Sequence, residues 1–387
     1  MTPPARIAAA IELLDQILAG APAEKALTHW GRANRYAGSK DRAAVRDHVF
    51  DALRCRRSLA AMGRAETGRG IMIGAVRRDG GNLADVFSGI GHAPAVLTAQ
   101  ESEATAADRT LPVDLPDWLY ALFVESLGDK TLQVLDSMKS RAPVFLRVNL
   151  RRGNRAGAMA SLLQDMIVSA PIYDIKTALQ VTDNARKIQT SHAYLSGLVE
   201  VQDGSSQQAV LRLPLQSGQR ILDYCAGGGG KALAIAALVD ATLFAHDADP
   251  ARMADLGSRA ARAGVQISPL ATDELTAAAP FDLVLIDAPC SGSGTWRRTP
   301  DAKWRLTANG LDKLCRLQAD ILQKAAPLVR PGGVLAYATC SVLAAENRRQ
   351  AAEFLLTNSD WMMADEMQLL PSALGDGFYL AVMRRAE

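Results

Sequence analysis

The sequence predicts an α/β chain: a Rossmann-like parallel sheet at the C-terminus, preceded by a small α+β module and an all-helical N-terminal domain. Three observations predict it. From residue 218 onward, short apolar strands alternate with helices, as βαβ units do. The first of those strands runs into Asp223-Tyr224-Cys225-Ala226-Gly227-Gly228-Gly229-Gly230-Lys231, a glycine-rich turn between strand and helix. Residues 4–60, by contrast, carry only helical periodicity. With 387 residues there is chain enough for two or three cores, and the expected division is 1–110, 111–210 and 211–387.

In chain order, Ile7, Ile11, Leu14, Ile17 and Leu18 recur at three- and four-residue spacing and predict a first helix. Ser39 and Asp41 ahead of Arg42–Arg57 read as a helix start, with Val45, Val49, Leu53 and, out of step, Leu59 on its apolar face. Residues 61–110 are rich in Ala and Gly with helical patches, ending in a polar linker at Glu101–Thr110. A helix near Trp118–Leu127, a β-like Val144–Asn149 and a helix from Arg155 to Met166 make up the α+β module. The sheet strands are expected at Arg220–Tyr224, Thr242–His246, Leu283–Asp287 and Val334–Thr339. Helices are expected at Lys231–Val239, Pro250–Ala263, Gly310–Leu328 and Ala345–Leu356.

Composition excludes more than it selects. The formal charge of +2 argues for no partner, but residues 1–60 hold ten Lys/Arg against six acids, a net +4 able to meet phosphates. The five cysteines are scattered, with no CxxC pair or Cys/His cluster, so neither a disulfide framework nor a metal site is expected. No signal peptide and no apolar run of about 18 residues is visible. A protein of the reducing cytoplasm, monomeric and away from membranes, fits these features.

Ligands of open α/β sheets bind at the carboxyl ends of the strands. The glycine turn, Asp247, Asp287-Ala288-Pro289-Cys290 and Thr339-Cys340 all fall at such ends. Gly227-x-Gly229-x-x-Ala232 formally fits a dinucleotide fingerprint. A P-loop fails, because Cys225 stands where its first glycine belongs and Ala232 where Ser or Thr would hold magnesium. Asp247 can take ribose hydroxyls of NAD or of S-adenosylmethionine equally well, but hydride transfer has no use for two thiols at the sheet edge.

Cys290 and Cys340 sit in loops where a thiol can be exposed and activated, whereas Cys55 and Cys315 read as small buried hydrophobes and Cys225 as packing in the turn. The C5 carbon of cytosine is too weak a nucleophile to take a methyl group unaided. Thiolate addition at C6 makes C5 enamine-like, and loss of the C5 proton and of the thiolate then calls for a second group. A protonated carboxyl polarising N3 assists the addition, and Asp287, three residues before Cys290, is placed for it.

These residues carry a resemblance. Asp287-Ala288-Pro289-Cys290-Ser291-Gly292-Ser293-Gly294, Arg297-Arg298-x-Pro300-Asp301-x-Lys303-Trp304 and Tyr337-Ala338-Thr339-Cys340-Ser341-Val342 are similar to motifs of the Nop/Sun (RsmB-like) RNA cytosine-5 methyltransferases. So are Leu146–Asn149, Val201-Gln202-Asp203, Glu346-Asn347 and Asp376-Gly377-Phe378-Tyr379. The likeness runs from about residue 116 to the end. The helical N-terminus, with Lys40-Asp41-Arg42-Ala43-x-Val45-Arg46, resembles the NusB-like RNA-binding domain of the RsmB branch.

The resemblance implies Cys340 as the nucleophile on C6 and Cys290 as the group assisting product release; the Pro-Cys logic of DNA cytosine-5 methyltransferases would instead choose Cys290. It also implies an S-adenosyl-L-methionine site lined by Cys225, Ala226, Gly227, Gly228, Gly229, Gly230, Lys231, Asp247, Asp273 and Asp287. Gly228 departs from the family turn, which has proline there, and extra glycine is expected to loosen the loop. The implied substrate is RNA, 16S ribosomal RNA by the RsmB-like N-terminus, with tRNA as the rival. A NAD-dependent oxidoreductase and a non-catalytic RNA-binding or assembly factor are the readings outside the class. Trp296, Arg297, Arg298, Lys303, Trp304 and Arg305 form a basic, aromatic stretch, from which Arg297, Arg298, Lys303 and Trp304 are expected to touch RNA by stacking and charge.

Overall fold

Helix α1 (Pro3–Leu18) starts where the Thr2 hydroxyl accepts a hydrogen bond from the Ala5 amide and prolines occupy the first turn, and it buries Ile7, Ala10, Leu13 and Leu14. It belongs to a computed structural model describing residues 1–103 and 111–387. Helices α2 (Ala23–Ala33), α3 (Ser39–Arg54), α4 (Arg56–Gly63) and α5 (Gly68–Arg78) complete the helical region. The cap of α3 is Gly38, not Ser39, and the expected single run to Arg57 breaks at Cys55. That break is why Leu59 falls out of step: it belongs to α4 and returns to the same core as Leu53 and Trp30. The glycines that blur residues 61–110 have a packing reason. A Cβ on Gly63 would lie 1.7 Å from the Gly70 carbonyl oxygen and one on Gly74 2.0 Å from that of Leu59, so α4 and α5 touch backbone to backbone. The expected linker starts in a short helix, Ala99–Ser102, capped by Thr98 and Glu101, and from residue 104 to 110 lies outside the described residues.

The chain forms two compact units. One combines Met1–Ala121, Lys130–Arg141 and Trp296–Leu306; the other combines Leu122–Asp129, Ala142–Thr295 and Thr307–Glu387. This differs from the three-part division expected from sequence. The α+β module from Ala142 onward clusters with the large sheet, while residues 111–121 and Lys130–Arg141 of the expected module, and an excursion of the chain after Thr295, cluster with the helices.

In the second unit, β1 (Val144–Val148), β2 (Val168–Pro171), β3 (Ala178–Asp183) and β4 (Val199–Val201) form an antiparallel sheet in the order β2-β3-β1-β4. The large sheet contains β5 (Arg220–Asp223), β6 (Thr242–Ala245), β7 (Ser268–Pro269), β8 (Phe281–Asp287), β9 (Val329–Thr339), β10 (Trp361–Leu369) and β11 (Phe378–Arg385), in the order β10-β11-β9-β8-β5-β6-β7. Strands β5 to β9 pair in parallel, as the alternation predicts. Val284, Ile286, Leu335 and Tyr337 face one core, and Leu283, Leu285, Val334 and Ala336 the other. Covered on both faces, the central strands read as continuous apolar runs. The antiparallel pair β10 and β11 has no counterpart in the sequence reading. No helix separates them, so nothing in the alternation announces them, and only pairing with β9 gives the run Phe378–Met383 its place. The chain runs from β5 outward to β6 and β7, then returns to β8 on the other side, which puts the switch point between β5 and β8.

Candidate active site at the strand ends

The glycine turn leaves β5 and enters the helix Gly230–Ala236 with Gly227 at φ +49° and Gly229 at φ +76°, left-handed conformations open to glycine. Asp223 closes β5. Its Oδ2 accepts from the Ala232 amide at 3.1 Å, while the buried Oδ1 has no hydrogen-bond partner. Burial pushes this carboxyl up to about 7, against the opposing pull of Lys231. Asp247, beyond β6, accepts from the Gly227 amide through Oδ2 and the Asp249 amide through Oδ1, each at 3.0 Å, and pairs with Arg252 at 3.1 Å.

The turn is braced from outside by the α+β module. Buried Arg147 of β1 donates to Gln202 at 2.7 Å and to the Gly230 carbonyl at 2.9 Å. Arg259 donates to the Gly228 carbonyl, and both Arg259 and Arg262 pair with buried Glu200 of β4. A Cβ on residue 228 would stand 2.6 Å from the Arg259 guanidinium, so the arginine fills the space a larger residue would take. The loosening expected from Gly228 is thus offset by a strut. Ala226 donates its amide to the His246 carbonyl, and Cys225, its thiol pushed up by burial, packs against the sheet core. Asp273 is exposed on the turn Thr272–Glu274, beyond β7 at the same edge.

Cys290 follows β8 and Cys340 follows β9, and their sulfurs are 3.4 Å apart. Beside them Lys231, at the start of the glycine-turn helix, forms an ion pair with Asp287. Burial would lower the Lys231 ammonium, but Asp287 outweighs it and holds the group raised, with Cys340 contributing in the same direction. The Cys290 thiol is pushed up by its hydrogen bond to Cys340, by burial and by the negative charge of Glu346. Burial likewise raises Cys55, and Cys315 to about 11, in keeping with inert thiols.

The structure therefore brings Lys231, Asp287, Cys290 and Cys340 together at one edge. It treats the basic stretch differently. Arg297, Lys303 and Trp304 pack within the helical unit instead of forming an open basic face. Arg297 is 3% exposed and its carbonyl accepts from Arg54 Nε at 2.8 Å. Lys303, also 3% exposed, donates Nζ to the Arg54 carbonyl at 2.8 Å, and burial lowers it to about 8. Trp304 donates Nε1 to the Leu53 carbonyl and lies under the Arg56 guanidinium. The reason is that α3 ends at Arg54 with carbonyls lacking helical partners, and these two side chains supply the donors. Arg298 is half-buried.

Sequence reading missed Asp223, which heads the turn it singled out, and the braces Glu200 and Arg259, which no local pattern marks; Arg147 falls in the Leu146–Asn149 motif, to which it attaches no role. Glu346 was noted as part of a motif with no role attached. Among the described residues no group of three or more His, Cys, Asp or Glu is arranged to hold a metal, and no helix is long and apolar enough to cross a membrane.

Comparison with known proteins follows the same geometry. Residues 210–384 match the family model described as 16S rRNA methyltransferase RsmB/F, and residues 115–188 match the RsmF/B-like ferredoxin-like domain. Ribosomal RNA small subunit methyltransferase B of Vibrio cholerae serotype O1 is 34% identical over 283 residues, covering 70% of this chain and 65% of that protein. The protein of the same name from Salmonella arizonae is 34% identical over 280 residues, covering 69% and 65%. The chain thus spans 65% of the length of these relatives. In fold it is similar to the crystal structure of PH0851, with a TM-score of 0.75 at 23% identity over all of this chain and 99% of that one. It is also similar to NSun6 from Pyrococcus horikoshii with SFG, with a TM-score of 0.61 at 15% identity over 70% and 98%.

Proposed function

The chain belongs to the RsmB/F (Nop/Sun, RsmB-like) methyltransferase family, and from that premise we propose that it methylates C5 of a cytosine in RNA, 16S ribosomal RNA, through a covalent adduct on Cys340. The observation that carries the reading is the 3.4 Å approach of the Cys290 and Cys340 sulfurs beside the Lys231–Asp287 pair.

S-adenosyl-L-methionine is the methyl donor, and the turn fits it. The unpartnered Asp223 Oδ1 is an acceptor for its ammonium group, the Asp247 carboxylate stands at the strand end where ribose hydroxyls are taken, and the open glycine backbone admits its chain. When bound it supplies an electrophilic methyl carbon. The protein's own residues do the rest. The Cys340 thiolate forms a bond to C6, while N3 takes a hydrogen bond and then a proton from the Lys231–Asp287 pair. Asp287 accepts from the Lys231 ammonium, so that ammonium is the proton source sequence reasoning placed on Asp287 alone. With C6 saturated, C5 becomes nucleophilic. After methyl transfer the C5 proton passes to a base and on to solvent, the S–C6 electron pair returns to Cys340, and N3 gives its proton back. The Cys290 S–H, held protonated, hydrogen-bonds the departing Cys340 sulfur and eases its release.

The test is a denaturant-resistant protein–RNA band, formed with S-adenosyl-L-methionine and either naked 16S rRNA or immature small subunits. Cys290→Ala is expected to accumulate the band, because attack succeeds and release fails, and Cys340→Ala to give none. The reverse pattern exchanges the two roles. Adduct and methyl transfer on tRNA alone would move the substrate, and neither from any form would leave a non-catalytic factor.

A further inference from the structure

One buried carboxylate touches the loops of both thiols. Glu346 is fully buried, and its oxygens collect four donors. Oε1 accepts from the Ser291 amide at 2.7 Å and from Gln318 Nε2 at 3.1 Å. Oε2 accepts from the Ser341 hydroxyl at 2.6 Å and from the Ser291 hydroxyl. Ser291 follows Cys290 and Ser341 follows Cys340, so each thiol is one residue from a serine held by the same carboxylate. Further ties join the loops: the Ser293 and Ser341 hydroxyls are 2.8 Å apart, and the Gly294 amide donates to the Cys340 carbonyl at 2.9 Å. Gln318 also donates to the Pro289 carbonyl at 2.9 Å, and the Tyr337 hydroxyl donates to the Glu346 carbonyl at 2.6 Å.

We propose that Glu346 is a positioning residue for the reaction, setting the spacing of the two thiols through the serine beside each and making Cys290 the protonated member of the pair. The proposal deepens the functional reading above and rests on it for its catalytic meaning. Among the described residues no Lys or Arg pairs with Glu346. The titratable groups facing it are Cys290 from the loop after β8, Cys315 from the helix Ala308–Ala325 and Tyr337 from β9, and the charge of Glu346 contributes to raising all three. The cation of the site, Lys231, instead interacts with Cys340. A carboxylate met only by hydroxyl and amide donors has no cation beside it to offset its charge, and in a buried setting that charge acts strongly on a neighbouring thiol. One thiol thus feels an anion and the other a cation, 3.4 Å apart, which divides acid from nucleophile.

The experiment is site-resolved alkylation of the full chain with iodoacetamide across pH 6–10, read by peptide mass spectrometry, on wild type and Glu346→Gln. Wild type is expected to label Cys340 faster than Cys290. Glu346→Gln keeps the volume but removes the charge, so the Cys290 labelling rate at a fixed pH of that range is expected to rise roughly tenfold, as about tenfold more thiolate is present. In parallel, kcat for methyl transfer is expected to fall at least tenfold with KM for RNA unchanged. Should Glu346→Gln not fold, Ser291→Ala and Ser341→Ala, each removing one hydroxyl, are expected to lower kcat in the same way and to add to each other less than fully. An unchanged Cys290 labelling rate in folded Glu346→Gln overturns the proposal, as do serine variants with wild-type kcat. Labelling needs neither RNA nor cofactor. A wild type that labels as described but transfers no methyl group therefore counts against the functional reading while the division of the thiols stands.

Discussion

Two buried glutamates hold the two halves of the site, and they do it in opposite ways. Glu200, beside the cofactor turn, is met by the guanidinium groups of Arg259 and Arg262; Glu346, beside the thiols, is met only by hydroxyls and amides. The first arrangement more than offsets the carboxylate's charge and leaves a strut, because Arg259 also donates to the Gly228 carbonyl. The second leaves the charge in place and directs it at a thiol. The same side chain is mechanical in one setting and electrostatic in the other, and its partners decide which.

A third carboxyl sharpens that contrast. Asp223 has neither a cation in contact nor full hydrogen bonding, and it responds by holding a proton up to about pH 7 instead of its ordinary 3.8. Its folded-state value lies above the unfolded one, so between these pH values the folded chain binds more protons and stability falls as pH rises. The window is worth up to about 4 kcal/mol. Asp223→Asn is expected to flatten the urea midpoint between pH 4 and 7 and to weaken S-adenosylhomocysteine binding in calorimetry. A midpoint that keeps its slope would show that the carboxyl is not the cause.

Breaking the strut comes next in size. Glu200→Gln leaves two largely buried guanidinium groups without their anion, a loss of about 3 kcal/mol in urea unfolding. The labelling order of Cys290 and Cys340 is expected to stay as in wild type. A reversal of that order would mean that the two glutamates act as one network. The smallest effect belongs to Gly228→Ala. The added Cβ would displace the Arg259 guanidinium from its carbonyl, costing about 1 kcal/mol, while the stiffer unfolded chain returns about 0.4–1 kcal/mol. Stability is expected to be nearly unchanged, and S-adenosylhomocysteine affinity to drop only a few-fold.

Much of this site was legible in the sequence because its parts sit where period and punctuation coincide. Cys290, Cys340, Asp247 and the glycine turn each follow an apolar strand, and strand ends converge in a parallel sheet. The stretch after Cys290 misled for a related reason. Trp304 and Lys303 look like a nucleic-acid surface by composition, but whether an indole and an ammonium face solvent or a helix terminus depends on what packs over them. Here the end of α3 takes both.

The sequence by itself determined the parallel sheet, the glycine turn and the two thiols at the strand ends, since periodicity, glycine placement and residue chemistry are local properties. Only the tertiary structure decided the rest: the antiparallel strands β10 and β11, the burial of Lys303, the arginine brace on the turn and the shared carboxylate of Glu346. Each of these joins residues distant in the chain. The free energy of a buried polar group depends on which partner arrives beside it, and that is known only once the chain has folded.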